Sequence, residues 1–266
     1  MTNEPVDVVS QGYDAVYTAL PNAPTLRRIW REHVFGPGYP AGFEHISFVT
    51  LPELRRMAES LRLSPGAALV DLGAGMGGPG LWIARETNAR LTGIDLSAVA
   101  VAHASARAAD LSLADSARFA TGSFAATGLP SESADAAMSI DALQYAPSKQ
   151  QAFDEIARIL RPGGRLVFAA FELVPERARD LPVLGVDPVD DFRPLLQAAG
   201  FSVTSYDETP SWQALLTTTY QALAAEQATL VQEMGQPAAF ALLAEITLTL
   251  DRQPYRRHVV VVAEKR

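Results

Sequence analysis

Short apolar runs recur through the middle of this chain, each followed by a longer stretch with helical spacing. Ala67 to Val70 runs into Asp71, Arg90 to Ile94 into Asp95, and Arg118 to Thr121, Ala136 to Ile140 and Leu166 to Phe171 follow. Apolar runs without polar alternation suit strands buried on both faces, as in a parallel sheet. Between them, Leu81 to Thr87, Ser97 to about Ala109, Pro147 to Leu160 and Val189 to Ala199 read as helices. Thr50 to Leu63 forms an amphipathic helix ahead of the first strand, with Leu51, Leu54, Met57, Ala58 and Leu61 on one side. Ser64-Pro65-Gly66 stops it. Arg161-Pro162-Gly163-Gly164 reads as a tight turn into strand five. Phe201 to Tyr206 and His258 to Ala263 complete the strands. Alternation of this kind predicts an α/β doubly wound sheet in a single domain.

Two segments fall outside the alternation. Residues 1–48 carry Tyr13, Tyr17, Trp30, His33, Phe35, Tyr39, Phe43, His45 and Phe48. Gly36 to Gly42 cannot be helical, so a loop there is expected to join two short helical pieces. About 50 residues separate strand six from strand seven, far beyond an ordinary connection. Thr209-Pro210 opens a helix there, Gly235 ends it, and Pro237 opens another to about Leu250. Each segment reads either as added core (for the second, also as a dimer surface) or as a lid. A pocket needs apolar walls with few polar groups, which favours the lid. The expected layout is an N-terminal lid (1–48), a binding core (49–208), a helical cover insertion (209–252) and a final strand (253–266). Residues 175–188 form a proline-rich loop.

The chemistry gathers at the first strand. Asp71 is followed by Gly73, Ala74, Gly75, Gly77 and Gly78, and a helix comes next. Glycines at a strand end allow a sharp turn and close approach by a ligand, and the helix N–H groups point back at that turn. Asp95 ends the second strand, where an acid can take both hydroxyls of a ribose. A dinucleotide would bring pyrophosphate to the turn, where the Asp71 carboxylate would repel it. The spacing GxGxGG also differs from the dinucleotide GxGxxG, and no GxxxxGK(S/T) occurs. S-adenosylmethionine brings an ammonium and a sulfonium instead.

LVDLGAGMGG, LTGIDLS and LRPGGRL resemble the signatures of the class I S-adenosylmethionine-dependent methyltransferases over about residues 60 to 175. The resemblance implies a Rossmann-like seven-stranded sheet, mostly parallel with an antiparallel last strand, and S-adenosylmethionine as cofactor. It implies cofactor contacts from Asp71, Gly73, Ala74, Gly75, Asp95, Leu96, Gly122, Ser123, Phe124, Ser139 and Gln144. Ser123 stands where the family more often has Asp, with Phe124 as a partner for the adenine ring. The N-terminal Tyr13-Asp14, Trp30, His33 and Gly38-Tyr39 are similar to the small-molecule branch, in which the first tyrosine, here Tyr13, meets the cofactor's amino-acid end. The end of strand four, Ser139 to Pro147, would run beside the departing methyl, so Asp141, Gln144 and Tyr145 face the acceptor. Asp141 would equally serve as a helix N-cap.

Composition adds exclusions. The chain has 266 residues, 48% of them hydrophobic, with a net charge of −8 and no basic cluster, so nucleic acid and anionic membranes are poor partners. No apolar run is long enough to span a bilayer and the polar start is not a signal peptide. The absence of cysteine rules out disulfides and thiolate chemistry and fits a cytoplasmic setting. If the acceptor is a hydroxyl or an activated carbon, a base would help, and His33, His45, Asp141, Tyr145 and Glu172 are the candidates. Glu172 ends strand five and is expected on the same face as Asp141, whereas His258 reads as structural. Asp141 and Glu172 lack a third acidic partner, so a metal is not expected. The expectation is metal-independent methylation at O, N or C of a small, partly apolar acceptor. The alternative is that the same fold catalyses a cyclisation or rearrangement without methyl transfer.

Overall fold

A computed structural model of the chain describes residues 4–174 and 188–266, with side chains from residue 11 onward. Seven strands form one sheet: β1 (Ala68–Leu72), β2 (Arg90–Asp95), β3 (Ala117–Thr121), β4 (Ala134–Ile140), β5 (Leu160–Leu173), β6 (Phe201–Glu208) and β7 (Arg256–Lys265). Their order is β3-β2-β1-β4-β5-β7-β6. β1 to β5 pair parallel, and β7 runs antiparallel between β5 and β6. This is the sheet that the alternation and the resemblance implied.

Helices cover both faces. α3 (Leu51–Leu61) and α4 (Gly78–Thr87) bury Leu54, Met57, Leu81 and Ile83 against Leu69 and Leu91 on one face. α5 (Ala98–Asp110) follows β2 and is capped by Ser97, whose side chain accepts from the Ala100 N–H. On the other face α6 (Lys149–Ile159) and α7 (Arg193–Ala198) pack Phe153, Ile156 and Leu196 against Val70, Leu166 and Phe168. Each such side chain, fully buried, contributes about 1.5–3 kcal/mol. α3 begins on a capping box in which Thr50 and Glu53 bond reciprocally.

A third core lies over the carboxyl ends of the strands. It joins α1 (Glu4–Ala19) and α2 (Pro24–Trp30) to α8 (Trp212–Ala225), α9 (Gln227–Met234) and α10 (Gln236–Arg252). Trp30, Phe48 and Tyr220 meet there, with ring centroids 5.1–6.3 Å apart. The two segments outside the α/β alternation therefore share one core.

Three expectations change in detail. The N-terminal helices all precede the Gly36–Gly42 loop rather than flanking it, because α2 runs directly into a π-helical turn, Arg31–Phe35. The Arg161–Gly164 turn lies within a single long β5: the β4 register jumps from Ala134↔Leu160 to Ala136↔Arg165, so the four residues form a bulge. α7 is shorter than the Val189–Ala199 pattern and begins at Arg193. The expected proline-rich loop, 175–188, falls almost wholly outside the described residues.

Candidate active site

The strand order reverses between β1 and β4. Chain crossovers leave this point in opposite directions and open a crevice beyond the carboxyl ends, where open α/β sheets bind ligands. The glycine turn follows β1 and lies at that crevice. Gly73 has φ +70°, and a Cβ on it would lie 2.4 Å from the Ala142 Cβ. The Phe124 ring would be 3.2 Å from the same point, so Phe124 packs onto the turn. Gly73 and Ala74 donate to the Ile94 carbonyl at 2.8 and 3.1 Å, which ties the turn to the end of β2.

Asp95 closes β2. Its carboxylate accepts from the Gly75 N–H at 2.7 Å and the Ser97 N–H at 2.9 Å. Burial raises its pKa and these backbone donors hold it down. Leu96 beside it is half exposed, an apolar surface open to a ligand ring. Gly122 donates to the Asp95 carbonyl and so brings Ser123 and Phe124 alongside. Asp71 is buried at the start of the turn with its carboxylate against Gly80 of α4, and burial, reinforced by Asp95, pushes its carboxyl up to about 7.

A cavity of about 290 Å³ opens from this turn, lined by Tyr17, Trp30, His45, Asp71, Gly75 and Arg107 among others, and it reaches Ile140 at the end of β4. Burial pushes His45 down to about 3, and its Nε2 is buried with no hydrogen-bond partner. Acidic groups on the sheet side, donors on the cover side and an orphaned ring nitrogen suit a ligand that is cationic in part and carries no phosphate. S-adenosylmethionine fits that donor set. Bound, it would be held by Asp95, Leu96, Phe124, Asp71 and the turn, and would supply a methyl group on a sulfonium.

Tyr13 lies one helical turn from Tyr17. Its hydroxyl is 2.9 Å from that of Tyr145 and 3.1 Å from Glu245 Oε1, and Tyr145 lies 3.2 Å from the same oxygen. Burial raises the pKa of Glu245, opposed by these two hydroxyls. Tyr17, not Tyr13, lies against the turn, its hydroxyl 3.0 Å from where a Gly75 Cβ would be. Asp14 bonds to Ser97 and fastens α1 to the start of α5.

Asp141 has φ +51°, an unusual backbone state for a residue other than glycine. Oδ2 accepts from the Phe48 N–H at 2.8 Å and Oδ1 lies 2.7 Å from His258 Nε2. A carboxylate only accepts, so Nε2 donates, and Nδ1 takes the Thr209 hydroxyl at 2.8 Å. Both Asp141 oxygens thus have partners inside the protein. Gln144 donates to the Asp141 carbonyl, and its Oε1 is buried without a partner. Ser139 is fully buried and donates to the Leu72 carbonyl, bridging β4 to β1.

Two candidate bases lie elsewhere. Glu172 accepts from Arg257 Nε at 2.6 Å and from the Phe192 N–H at 3.2 Å, on the α7 side of the sheet. Strand alternation explains the departure from expectation: the neighbouring Phe171 faces His258 and Trp212, so Glu172 faces away from Asp141. Burial raises Glu172 to about 6 against the pull of Arg257. His33 sits in the π-helical turn and does not line the cavity. Sequence reasoning missed Glu245 and Thr209, which enter through contacts spanning 232 and 49 positions. Tyr17 had a usable signal, the spacing of four from Tyr13 on one helix face. Among the described residues no three His, Asp or Glu side chains converge as a metal site would require, and no helix is long and apolar enough to cross a membrane.

Comparison with known proteins agrees with this geometry. A methyltransferase domain family matches residues 70–168, from β1 through most of β5. The chain is 28% identical to the 27-O-demethylrifamycin SV methyltransferase of Amycolatopsis mediterranei over 228 residues, 80% of this chain and 82% of that protein. It is 34% identical to the sterol 24-C-methyltransferase ERG6B of Gibberella zeae over 116 residues, 44% of this chain, and spans only 30% of that protein's length. Among solved structures, that of the [4+2]-cyclase SpnF superposes with a TM-score of 0.77 at 25% identity, covering 97% of this chain and 94% of that one. Residues 70–168 thus match a methyltransferase domain, the chain is similar to S-adenosylmethionine-dependent methyltransferases over most of its length, and the cofactor that the site fits is S-adenosylmethionine.

Proposed function

We propose that the protein transfers the methyl group of S-adenosylmethionine to a small, partly apolar acceptor. The observation that carries this reading is the cavity running from the glycine turn and Asp71 to Ile140 at the end of β4. Donor and acceptor ends of a reaction would meet there out of water, where an in-line approach to the methyl carbon gains most. Tyr17, Trp30 and Phe35 supply apolar wall. The rifamycin relative, with similar coverage of both chains, supports a specialised metabolite as acceptor. On this reading the cofactor contacts come from Asp71, Gly73 to Gly75, Asp95, Leu96 and Gly122 to Phe124. If the acceptor is a hydroxyl, its proton leaves to a group that lines the cavity; Tyr145 and Glu245 lie outside that lining and, with Tyr13, tie α1 to α10. Asp141 positions the end of β4 rather than taking that proton.

The test incubates the protein with S-adenosylmethionine labelled on its methyl group and a panel of hydroxylated polyketides that includes 27-O-demethylrifamycin SV. Labelled product and S-adenosylhomocysteine should appear together, and EDTA should leave the rate unchanged. Loss of activity with EDTA, restored by Mg²⁺, counts against the metal-independent reading.

The near-complete match to a [4+2]-cyclase favours a second reading, in which the cofactor stays intact while the cavity folds a polyene for ring closure. An isomerised product of unchanged mass, with no S-adenosylhomocysteine formed, would support that reading and sink the first.

A further inference from the structure

We propose that His45 reads the carboxylate at the amino-acid end of the cofactor, as a hydrogen-bond donor through Nε2. The inference rests on the cavity being the cofactor site, and it assigns His45 a role different from the base expected of it.

The tautomer follows from local geometry. His45 Nδ1 lies 3.2 Å from the Ser47 backbone nitrogen and 2.8 Å from the Ser47 hydroxyl oxygen. The backbone N–H can only donate, so Nδ1 holds a lone pair. A neutral imidazole has one proton, which then sits on Nε2. The ring stays neutral because burial disfavours its charged form. The Asp141 carboxylate pulls the other way and Arg107 opposes protonation, as burial does. A ring fixed this way carries a donor and no lone pair at Nε2, so it cannot take a proton from an acceptor through that atom.

That donor lacks a partner in the protein. A buried polar group left unpaired costs about 1–3 kcal/mol, and native structures rarely keep one without a ligand or an ordered water. The ring is also held in place, with Phe35 and Tyr39 centroids 4.8 and 5.5 Å away, both edge-on. Arg107 lines the same cavity and is fastened through the Glu44 carbonyl at 2.8 Å. Asp71 lines it from the sheet side. One wall therefore offers an N–H and a guanidinium and another offers a carboxylate. An amino acid in its zwitterionic form matches both walls: its carboxylate suits His45 and Arg107, and its ammonium suits Asp71. A nucleoside without the amino-acid tail would leave His45 Nε2 unpaired.

That difference makes the test independent of any acceptor. Calorimetry on the full chain compares S-adenosylhomocysteine with 5′-methylthioadenosine, which keeps the nucleoside and thioether and lacks the tail. Wild type should favour S-adenosylhomocysteine. His45→Phe keeps a ring between Phe35 and Tyr39 and removes the N–H. It should weaken S-adenosylhomocysteine at least 10-fold and leave methylthioadenosine within about twofold. His45→Gln, which can again offer an N–H, should recover part of the loss. The ¹⁵N spectrum of the wild-type ring gives a readout that needs no variant: Nε2 should show a proton-bearing signal that moves with S-adenosylhomocysteine and stays put with methylthioadenosine. Equal weakening of both ligands, or of neither, overturns the assignment, as does a wild type that binds both equally. A wild type that binds neither ligand sinks the reading of the cavity itself.

Discussion

The glycine turn and the cover above it are held by different kinds of bond. At the turn nearly every contact involves backbone: Gly73 and Ala74 on the Ile94 carbonyl, Gly75 and Ser97 on the Asp95 carboxylate. Apart from Ser97, which is two positions from Asp95, the partners lie 20 or 21 residues apart, within one strand-helix-strand unit. The cover is held by side chains from distant parts of the chain. Tyr13 reaches Glu245 and Tyr145, Thr25 reaches Glu233, and Asp141 joins Phe48 to His258. Damage to the turn should therefore act on ligand affinity, whereas damage to the cover should act on stability and closure.

The sharpest break is Gly73→Ala. Its positive φ and the 2.4 Å approach to Ala142 leave no room for a methyl group. S-adenosylhomocysteine affinity should fall at least about 100-fold, since 1–3 kcal/mol of backbone strain adds to the displaced turn. Calorimetry with circular dichroism should show a folded protein that does not bind, and a variant that binds normally would break the distinction.

Asp141 tests the other side. Asp141→Ala leaves the Phe48 N–H and His258 Nε2 without partners, so unfolding stability should drop by about 2–4 kcal/mol. Asp141→Asn can keep both contacts, its amide oxygen on Phe48 and its NH₂ on a ring of the other tautomer, and Asn tolerates the left-handed backbone. The Asn variant should stay within about 1 kcal/mol of wild type in a denaturant titration. If Asn proves as damaging as Ala, the charge at Asp141 is needed and positioning alone does not describe it.

The third prediction concerns pH. Asp71 ordinarily titrates at 3.8 and rises to about 7 in the folded chain. The folded state then holds a proton that the unfolded chain releases. Its contribution favours folding below about pH 4 and is lost as pH rises through 7, on the order of 2–4 kcal/mol. Asp71→Asn should flatten the stability profile between pH 4 and 7 in ligand-free protein. A profile unchanged by the substitution would mean that Asp71 is solvated at the turn. The smallest effect belongs to Thr50→Ala, which removes a capping side chain from α3 and should cost about 1 kcal/mol, with cofactor affinity unchanged.

The same contrast explains what was legible in the sequence. The turn was readable because its function is written in consecutive residues: strand, Asp71, glycines, helix, strand, Asp95. The mostly parallel seven-stranded sheet with its antiparallel last strand also followed from alternation together with the resemblance. Glu172 was misplaced because a strand end does not show which face a side chain takes until its register is known. Asp141 could be located but not interpreted, since its partners Phe48 and His258 lie 93 and 117 positions away. His45 looked like a base because histidine usually is a candidate. Only the Ser47 contact reveals which nitrogen carries the proton.

The position of β7 sets an order of assembly. It lies between β5 and β6 and pairs with both, although β6 comes before it in the chain. During synthesis β6 has no neighbour in the sheet until β7 has emerged. The α8–α10 helices lie between these two strands and must loop out while the gap is open. His258 is on β7, so the bond to Asp141 cannot form until that strand is inserted. A nascent chain can thus shape its glycine turn early and still lack a secured roof. An exposed β6 edge in that interval is a place where a chaperone would bind or where two unfinished chains would pair.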